Sequence, residues 1–350
     1  MTTKKDIESA LMRGADTLRD TIDAANYKDY VLPVMFVKYL SDSYTDAVEE
    51  LSKQYSGIRL ERQKKYLPFM VAEGCSFYDL YQQRFADNIG QLMNAAMRQI
   101  EADNNQQLAG VLSAVDYNSE NALGTREHKN AILRDLLEDF EPLDLRPSAI
   151  EVKEGQVPAD VIGDAYEYMI GQFASMAGKK AGSFYTPAAV SEIMARIVDV
   201  QPGERVYDPT CGSGSLLIKA AKKQNSKEVS IYGQEVNGSS VAMAKMNMYI
   251  HEIRDAKIGW GDTLANPVFL DADGNLLLFD AIVANMPFSK DKWASGFNPG
   301  GESSGKGKKE FKMEASLDKF HRFDWGVPPA SKGDWAFLLH MIASLSVNGR

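Results

Sequence analysis

The sequence is poor in cysteine, and its two cysteines, Cys75 and Cys211, are too few for a disulfide framework. It contains no CxxC pair or similar metal-ligand spacing, so we expect no metal site. The longest apolar run, residues 30–40, is too short to cross a bilayer, and no charged and then apolar leader opens the chain. These absences argue against a disulfide-rich secreted domain and a membrane-spanning protein, and we expect a cytoplasmic protein.

Positively charged residues are outnumbered, since the sequence has 39 lysines and arginines against 48 aspartates and glutamates and a net charge of −9. This balance argues against a protein that grips DNA over most of its own surface. The densest basic run, GKGKKEFK at 305–312, is by composition most simply a solvated loop, although it can also supply a local basic patch. The length of 350 residues suggests about two domains.

The first part of the chain is predicted to be helical. From Asp6 to about Phe140, apolar residues recur at helical spacing, and glycine and proline are sparse within the helical segments. The stretch that follows is rich in proline and charge, which is typical of a linker. We therefore predict an all-α domain over residues 1–145, a linker over 146–159 and a second domain over 160–350.

The second domain alternates between helical and extended patterns. Thr186 is a suitable N-cap for a helix running from Pro187 to about Val198. Strands are predicted at 205–208, 228–235, 257–258 and 279–285, with a Met-rich helix at 238–253. This alternation predicts right-handed crossovers and a mostly parallel sheet, whose ligands bind beyond the carboxyl ends of the strands.

Acidic residues stand at three of those strand ends. Asp208 precedes the turn PTCGSG, where Gly212 and Gly214 allow a ligand to approach the backbone. The third glycine of a dinucleotide fingerprint is replaced by Leu217, which disfavours an NAD site. A carboxylate directly before this turn suits an ammonium group better than a pyrophosphate.

The other two acids extend the same pattern. Glu235, at the end of the second strand, can accept both hydroxyls of a ribose, and Asp262, after the third, can accept from an adenine amino group. Each acid taken alone is most simply a solvated strand end. Together they indicate one ligand with an ammonium, a ribose and an adenine, and S-adenosylmethionine has all three.

The fourth strand ends in NMPF, residues 285–288. DPTCGSG followed by NMPF resembles the cofactor and catalytic motifs of amino-group DNA methyltransferases, in which the second motif normally reads Asn-Pro-Pro-Phe or Asn-Pro-Pro-Tyr. With DYVLPVMFVKYLSD, GDAYEYMIGQFA, GSFYTP and HRFDWGVPPASKGDWAFLLHMI, the chain resembles, over almost its whole length, the modification (M) subunit of a type I restriction–modification system. The resemblance implies an α/β fold, a Rossmann-like S-adenosylmethionine-dependent methyltransferase domain with a separate N-terminal all-α domain.

The resemblance also implies the activity and the partners. The activity is adenine-specific methylation of DNA at N6, with S-adenosyl-L-methionine as cofactor. The implied partners are DNA, a specificity (S) subunit that reads the target, a restriction (R) subunit and a second copy of the M subunit. Members of this fold continue beyond four strands, so we expect VNGR at 347–350 to be a turn into a fifth strand of a longer chain, with further strands and a helical tail.

Site residues follow from the same resemblance, position by position. The implied cofactor-binding residues are Phe184, Tyr185, Thr186, Pro187, Asp208, Cys211, Gly212, Gly214, Glu235 and Asp262. The implied catalytic residues are Asn285, Met286, Pro287 and Phe288.

Physical chemistry gives the tetrapeptide a role. If the Asn285 carboxamide oxygen and the carbonyl of residue 286 accept the two hydrogens of an adenine amine, its lone pair turns toward the methyl donor. Phe288 then stacks on a base that has left the duplex. Met286 departs from the family pattern, yet it keeps a carbonyl, and Pro287 restrains it to extended geometry. We expect a chemically complete but less preorganised site.

Two other interpretations remain open at this stage. Protein methyltransferases that act on glutamine amides also use an Asn-Pro-Pro-Tyr tetrapeptide. An assembly scaffold whose site has decayed at Met286 is the second alternative. The helical N-terminal domain and the GVPP…DWAF block favour DNA as the substrate.

Overall fold

The computed structural model describes residues 1–178, 185–222, 228–288, 290–297 and 312–350. Phe184 lies outside these residues, and so does the basic run 305–312 except for Lys312. The chain forms two compact units, of which the first comprises residues 1–181 and 245–254 and the second residues 182–244 and 255–350. The predicted domain boundaries near residues 145 and 160 stay predictions.

The first unit is helical. Its helices are α1 (Lys4–Thr17), α2 (Tyr27–Ser52), α3 (Gly57–Lys64), α4 (Phe77–Gln82), α5 (Ile89–Asp103), α6 (Asn105–Leu108), α7 (Glu120–Leu123), α8 (Arg126–Phe140) and α9 (Pro158–Ala177). Single 3₁₀ turns occur at Ala24–Asn26 and Pro147–Ala149. The predicted all-helical character of the N-terminal region is therefore confirmed.

Local chemistry and burial account for the main helices of this unit. Helix α1 begins with a capping box, in which the Thr3 hydroxyl accepts from the Asp6 N–H and the Asp6 carboxylate accepts from the Thr3 N–H. The apolar run at 30–40 lies in α2, and nearly all residues from 30 to 43 are buried. The run is thus the central core helix of the unit, and no helix in the described parts of the chain is long and apolar enough to span a membrane.

The start of the segment predicted as a linker, and Leu145 just before it, make ordered contacts with the helices. Thr2 pairs with Ile150, since the Thr2 N–H donates to the Ala149 carbonyl and its own carbonyl accepts from the Glu151 N–H. The Leu145 N–H donates to the Asp42 carboxylate at 2.7 Å. These contacts fix residues 145–151 against the first unit. Proline and charge content alone gave no sign of them.

The second unit contains a parallel sheet and flanking helices. Its elements are α10 (Ala188–Val198), β1 (Arg205–Asp208), α11 (Ser215–Lys222), β2 (Ser230–Glu235), α12 (Gly238–Ile250, whose residues from 245 onward belong to the first unit), β3 (Lys257–Trp260), β4 (Ala281–Ile282) and α13 (Gly333–Ala343). All described strand pairs are parallel and the strand order is β3-β2-β1-β4. The predicted parallel sheet is confirmed.

Strand order places the carboxyl ends of β1, β2 and β4 along one edge. The chain runs from β1 outward to β2 and β3 and then returns to the opposite side of β1 for β4. The strand order therefore reverses between β1 and β4, which is the position where ligands bind in such sheets. Tyr207 of β1 is in register with Tyr232 of β2, and both rings pack with Phe279 in a buried aromatic cluster. This cluster fixes the spacing of the strands just below the edge.

Several predicted element ends differ in the structure. The second strand begins at Ser230 and not at 228, the third ends at Trp260 and not at 258, and the Met-rich helix ends at Ile250 and not at 253. The fourth strand was expected over 279–285 but is regular only at Ala281–Ile282, with the Val283 N–H still donating to the Tyr207 carbonyl. Helix α10 begins one residue later than predicted, and its N-cap is Pro187, so the prediction of Thr186 as N-cap is wrong.

The expected turn at VNGR is present, because the Gly349 N–H donates to the Ser346 carbonyl. Beyond it, the Arg350 N–H donates to the Asp280 carbonyl and the Ile282 N–H donates to the Arg350 carbonyl. Arg350 therefore lies in parallel register on the outer edge of β4.

Candidate functional site

Asp208 is a buried carboxylate at the carboxyl end of the central strand. Its side chain is 2% exposed, and Oδ1 accepts from the Thr210 N–H at 2.8 Å. Burial raises the pKa of Asp208 to about 7, against a usual value of 3.8, and the nearby charge of Glu235 adds to the increase. An acid in this state gains from a cationic ligand.

The glycine turn after Asp208 is built for close backbone approach. Gly212 and Gly214 have φ of +51° and +76°, where a side chain would strain the backbone. The Cys211 N–H donates to the Gln234 carbonyl, and Cys211 is buried, which raises the pKa of its thiol well above the usual range. A Cβ at Gly233 would lie 2.9 Å from the Cys211 sulfur, so this glycine makes room for the thiol. Cys211 is a packing residue of the turn.

Glu235 links the turn to the second strand. Its Oε2 accepts from the Gly212 N–H at 3.0 Å and its Oε1 accepts from the Asn237 N–H at 2.8 Å. Burial raises the pKa of Glu235, although these backbone N–H groups act in the opposite direction. Each oxygen retains a second lone pair, so both can still accept from a ligand hydroxyl.

Asp262 stands after β3 and is more exposed than the other two acids. Its Oδ1 accepts from the N–H groups of Leu264 and Ala265 at 2.9 and 3.3 Å. Its Oδ2 lies 4.0 Å from the Lys290 ammonium. Lys290 lies outside the basic run 305–312, and no local spacing in the sequence indicates that it faces this carboxylate.

Asn285 is brought to Thr186 across 99 residues of sequence. Its amide nitrogen donates to the Thr186 hydroxyl at 3.2 Å. An amide NH₂ group can only donate, so the carboxamide oxygen is the part of Asn285 that can accept from a ligand, and the bond to Thr186 orients it. Two of the predicted site segments, the FYTP region and the tetrapeptide, are thus in direct contact.

The other residues of the tetrapeptide divide between core and surface. The Met286 side chain packs against a buried group that we call the Trp293 cluster, which consists of Leu264, Trp293, Ala294, Met313, Phe323, Ala336 and Phe337. Phe288 is 75% exposed, and Pro287 is exposed beside it. An exposed phenylalanine next to Asn285 has the free ring face that base stacking requires.

The GVPP…DWAF block lies directly behind the segment that follows the tetrapeptide. The Gly333 N–H donates to the Lys290 carbonyl, and the Lys292 N–H donates to the Ala330 carbonyl. The Trp293 indole N–H donates to the Pro329 carbonyl at 3.0 Å. The block therefore supports the segment after Asn285 from below.

Of the remaining predicted cofactor residues, Tyr185 and Thr186 are partly buried and Pro187 is exposed. The Gly212 N–H donates to Glu235 and the Gly214 N–H donates to the Cys211 carbonyl, while Asp208 begins the same turn and accepts from Thr210. Asp262 follows the adjacent strand β3. The structure thus gathers the predicted residues that it describes around one sheet edge in three neighbouring groups. Their roles stay predictions.

A parallel sheet ordered β3-β2-β1-β4, with carboxylates at its edge and helices before it, defines a Rossmann-like methyltransferase fold with an N-terminal helical part. The model of the N-6 DNA methylase family matches residues 157–350, and that of the HsdM N-terminal domain matches residues 7–140. The chain belongs to the N-6 DNA methylase family.

Relatives and a solved structure agree with this assignment. The chain is 29% identical to the type I restriction enzyme MjaVIII methylase subunit of Methanocaldococcus jannaschii, over 94% of this chain and 53% of that protein. It is 29% identical to the MpnII methylase subunit of Mycoplasma pneumoniae, over 98% of this chain and 66% of that protein. The crystal structure of the type I restriction–modification methyltransferase subunit from Streptococcus thermophilus superposes with a TM-score of 0.76 at 29% identity, covering 99% of this chain and 73% of that one. The chain spans between half and two thirds of the length of these two curated relatives.

Proposed function

We propose that this chain binds S-adenosylmethionine and transfers its methyl group to the N6 amine of adenine in DNA, as the modification subunit of a type I restriction–modification complex. The donor set fits the cofactor. Asp208 offers a buried carboxylate to an ammonium, Glu235 offers two oxygens to ribose hydroxyls, and Asp262 offers a partly exposed carboxylate to an adenine amine. When bound, the cofactor supplies an electrophilic methyl group on a sulfonium.

Asn285 and the backbone of Met286 prepare the acceptor. The Asn285 carboxamide oxygen and the Met286 carbonyl accept the two hydrogens of the adenine amine, which draws the nitrogen lone pair out of conjugation with the ring. Thr186 holds the Asn285 carboxamide in the orientation this requires. Phe288 stacks on the extrahelical base, and because Asn is not a base, the proton leaves to water.

The observation that carries this proposal is the Asn285–Thr186 hydrogen bond at the sheet edge that also holds Asp208 and Glu235. This bond orients the Asn285 carboxamide, which accepts hydrogen bonds from the adenine amine, at the same sheet edge as the acids that suit the methyl donor. Family membership favours DNA over a glutamine amide as the acceptor. The specificity subunit, the restriction subunit, a second modification subunit and a cytoplasmic location belong to the same proposal.

Asn285→Ala should leave S-adenosylmethionine affinity within about twofold of wild type and lower methyl transfer at least about a hundredfold, because the lost contacts act in the transition state. The measurement is transfer of labelled methyl to DNA with the specificity subunit present, beside calorimetry of the cofactor. Asn121→Ala, at an exposed asparagine of α7, is the matched control and should change neither.

Three outcomes separate the competing functions. Label in DNA that is lost in Asn285→Ala supports the proposal. Label in a glutamine-containing peptide and none in DNA supports the protein methyltransferase. If the wild-type chain binds the cofactor but transfers methyl to neither acceptor, the result supports the assembly scaffold with a decayed site.

A further inference from the structure

We propose that Arg322 is a positioning residue for the adenine-side carboxylate Asp262, and that it determines the affinity of the site for the adenine amine. The proposal rests on the proposed function, because it assigns Asp262 to the adenine of the cofactor. Arg322 does not reach the ligand side of the loop itself. It acts through the main chain that follows Asp262.

Arg322 is a buried arginine whose five N–H groups all have acceptors. It is 4% exposed, and it forms an ion pair with Asp318, which is 3% exposed, at 2.7 Å. Nε and one Nη2 hydrogen serve the Asp318 carboxylate, and the other Nη2 hydrogen serves the Leu264 carbonyl at 2.6 Å. The two Nη1 hydrogens serve the Thr263 carbonyl at 3.3 Å and His340 Nδ1 at 3.1 Å. A guanidinium has five donors, so none is left over.

The Leu264 residue joins Arg322 to Asp262. Its N–H donates to Asp262 Oδ1 at 2.9 Å while its carbonyl accepts from Arg322. The Asp262 carbonyl in turn accepts from the Asn266 N–H at 2.6 Å. The carboxylate is therefore oriented by the same turn of backbone that the guanidinium fixes from the buried side.

A second series of hydrogen bonds connects Arg322 through His340 to Tyr207 of the central strand β1. Since a guanidinium can only donate, His340 Nδ1 must accept, and the proton of the neutral ring is on Nε2. That nitrogen lies 3.3 Å from the hydroxyl of Tyr207, the residue before Asp208. Burial and the adjacent Arg322 lower the pKa of His340 to about 3, which keeps the ring neutral. The Thr263 hydroxyl also donates to the Pro209 carbonyl at 2.5 Å.

These contacts set the position of one loop against another. Thr263 and Leu264 are held by Arg322, Pro209 is held by Thr263, and Tyr207 is held through His340. Lysine has three donors on a single nitrogen and cannot serve acceptors on this many sides. Arg322→Lys therefore keeps the charge near Asp318 and releases part of the loop.

The test compares two ligands that differ at the adenine amine. S-adenosylhomocysteine carries the 6-amino group, and S-inosylhomocysteine carries an oxygen there. Arg322→Lys should weaken the binding of the full chain to S-adenosylhomocysteine about tenfold or more, the scale of a hydrogen bond to a charged group. The affinity for S-inosylhomocysteine should change less than about threefold. Arg196→Lys, at an exposed arginine of α10, is the control and should change neither.

The double variant checks the route through Asp262. In an Asp262→Ala background, adding Arg322→Lys should cause little further loss of S-adenosylhomocysteine affinity, because the group that Arg322 positions is gone. Additive losses would overturn the proposal, and so would equal losses for both ligands in Arg322→Lys. If Arg322→Lys shows no cooperative thermal transition, Asp318→Asn takes its place, with the same selective loss expected.

Failure of the proposed function gives a different result. A wild-type chain that binds neither ligand removes the cofactor assignment, and the role of Arg322 with it. A wild-type chain that binds S-adenosylhomocysteine, with a folded variant that binds it equally well, overturns only the role of Arg322.

Discussion

Two buried pairs of charged residues, Lys38–Asp42 in the first unit and Asp208–Glu235 in the second, differ in whether their charges are opposite or alike. In the first unit, the Lys38 ammonium lies 2.8 Å from the Asp42 carboxylate, and both side chains are almost fully buried. The Tyr78 hydroxyl and the Leu145 N–H donate to the same carboxylate at 2.7 Å each. Burial lowers the pKa of Lys38, and the Asp42 charge offsets part of that effect. The charges of Lys38 and Asp42 therefore compensate each other within the protein.

In the second unit, Asp208 and Glu235 are buried close together with the same sign of charge. The bonds they accept come from backbone N–H groups and the Thr210 hydroxyl, and among the described residues neither forms an ion pair with a lysine or arginine. Burial raises the pKa of both acids. The Lys290 charge only partly offsets this increase at Glu235. Buried opposite charges, as in Lys38–Asp42 and Arg322–Asp318, are thus complete within the protein, whereas two buried acids that form no ion pair with a described lysine or arginine suit a cationic ligand.

The same substitution in the two units should separate these roles. Asp42→Asn should lower the free energy of unfolding by about 3–5 kcal/mol, because it leaves Lys38 buried without its partner. Asp208→Asn should raise the free energy of unfolding at pH 8, because an ionised carboxylate that burial penalises is removed. It should also abolish measurable S-adenosylmethionine binding. Denaturant unfolding and calorimetry on both variants provide the measurement.

The sign for Asp208 follows from its raised pKa. Below the usual value of 3.8 both states hold the proton, and as pH rises to about 7 only the folded state still holds it. The stability that this proton contributes is therefore lost as pH rises through 7. A loss of stability in Asp208→Asn at pH 8, with cofactor binding intact, would reverse the comparison.

The second prediction concerns pH and the cofactor. With a pKa of about 7, the ionised fraction of Asp208 increases about fivefold between pH 6 and pH 7. S-adenosylmethionine affinity should increase by about the same factor, because its ammonium requires the carboxylate. Methylthioadenosine, which has no ammonium, is the control ligand and should bind with nearly constant affinity over this interval. Equal pH dependence for the two ligands would remove Asp208 from the ammonium site.

The smallest expected effect is at Met286. Met286→Pro should retain or raise methyl transfer, because the residue keeps its carbonyl and Asn285 gains the restraint of a following proline. The free energy of unfolding should fall by about 1 kcal/mol, because the methionine side chain leaves the Trp293 cluster. Methyl transfer and denaturant unfolding of one variant test both halves. Loss of transfer in a folded Met286→Pro chain would contradict the role of the backbone carbonyl.

Sequence reasoning reached the architecture of the second unit because its signals are local. Alternating helices and strands predict a parallel sheet, and residues that end successive strands must share an edge, so Asp208 and Glu235 could be placed without coordinates. The positive φ values of Gly212 and Gly214 were likewise predictable from the strand–turn–helix pattern. In both cases the spatial arrangement follows from the order of strands, turns and helices along the sequence.

The rest depends on contacts between distant segments. Thr186 has the local chemistry of an N-cap, yet its hydroxyl accepts from Asn285, and that tertiary contact replaced the expected cap. Arg322 lies 58 residues from Leu264 in sequence, and no spacing rule connects them. Residues 146–159 were predicted as a linker from composition, which cannot show that Thr2 pairs with Ile150.

The backbone and the side chain of Met286 have separate roles. In the proposed mechanism its carbonyl belongs to the reaction, while its side chain belongs to the Trp293 cluster. Every amino acid supplies the carbonyl, so the residue found here in related chains should be chosen by the shape of the cluster beneath it. Divergent members of the family are then better sought through the combination of Asn285, Pro287 and the size of the residues at 293, 323 and 337 than through a strict double proline. A sequence search that requires proline at both positions after the asparagine would miss this chain, although Met286 supplies the same backbone carbonyl.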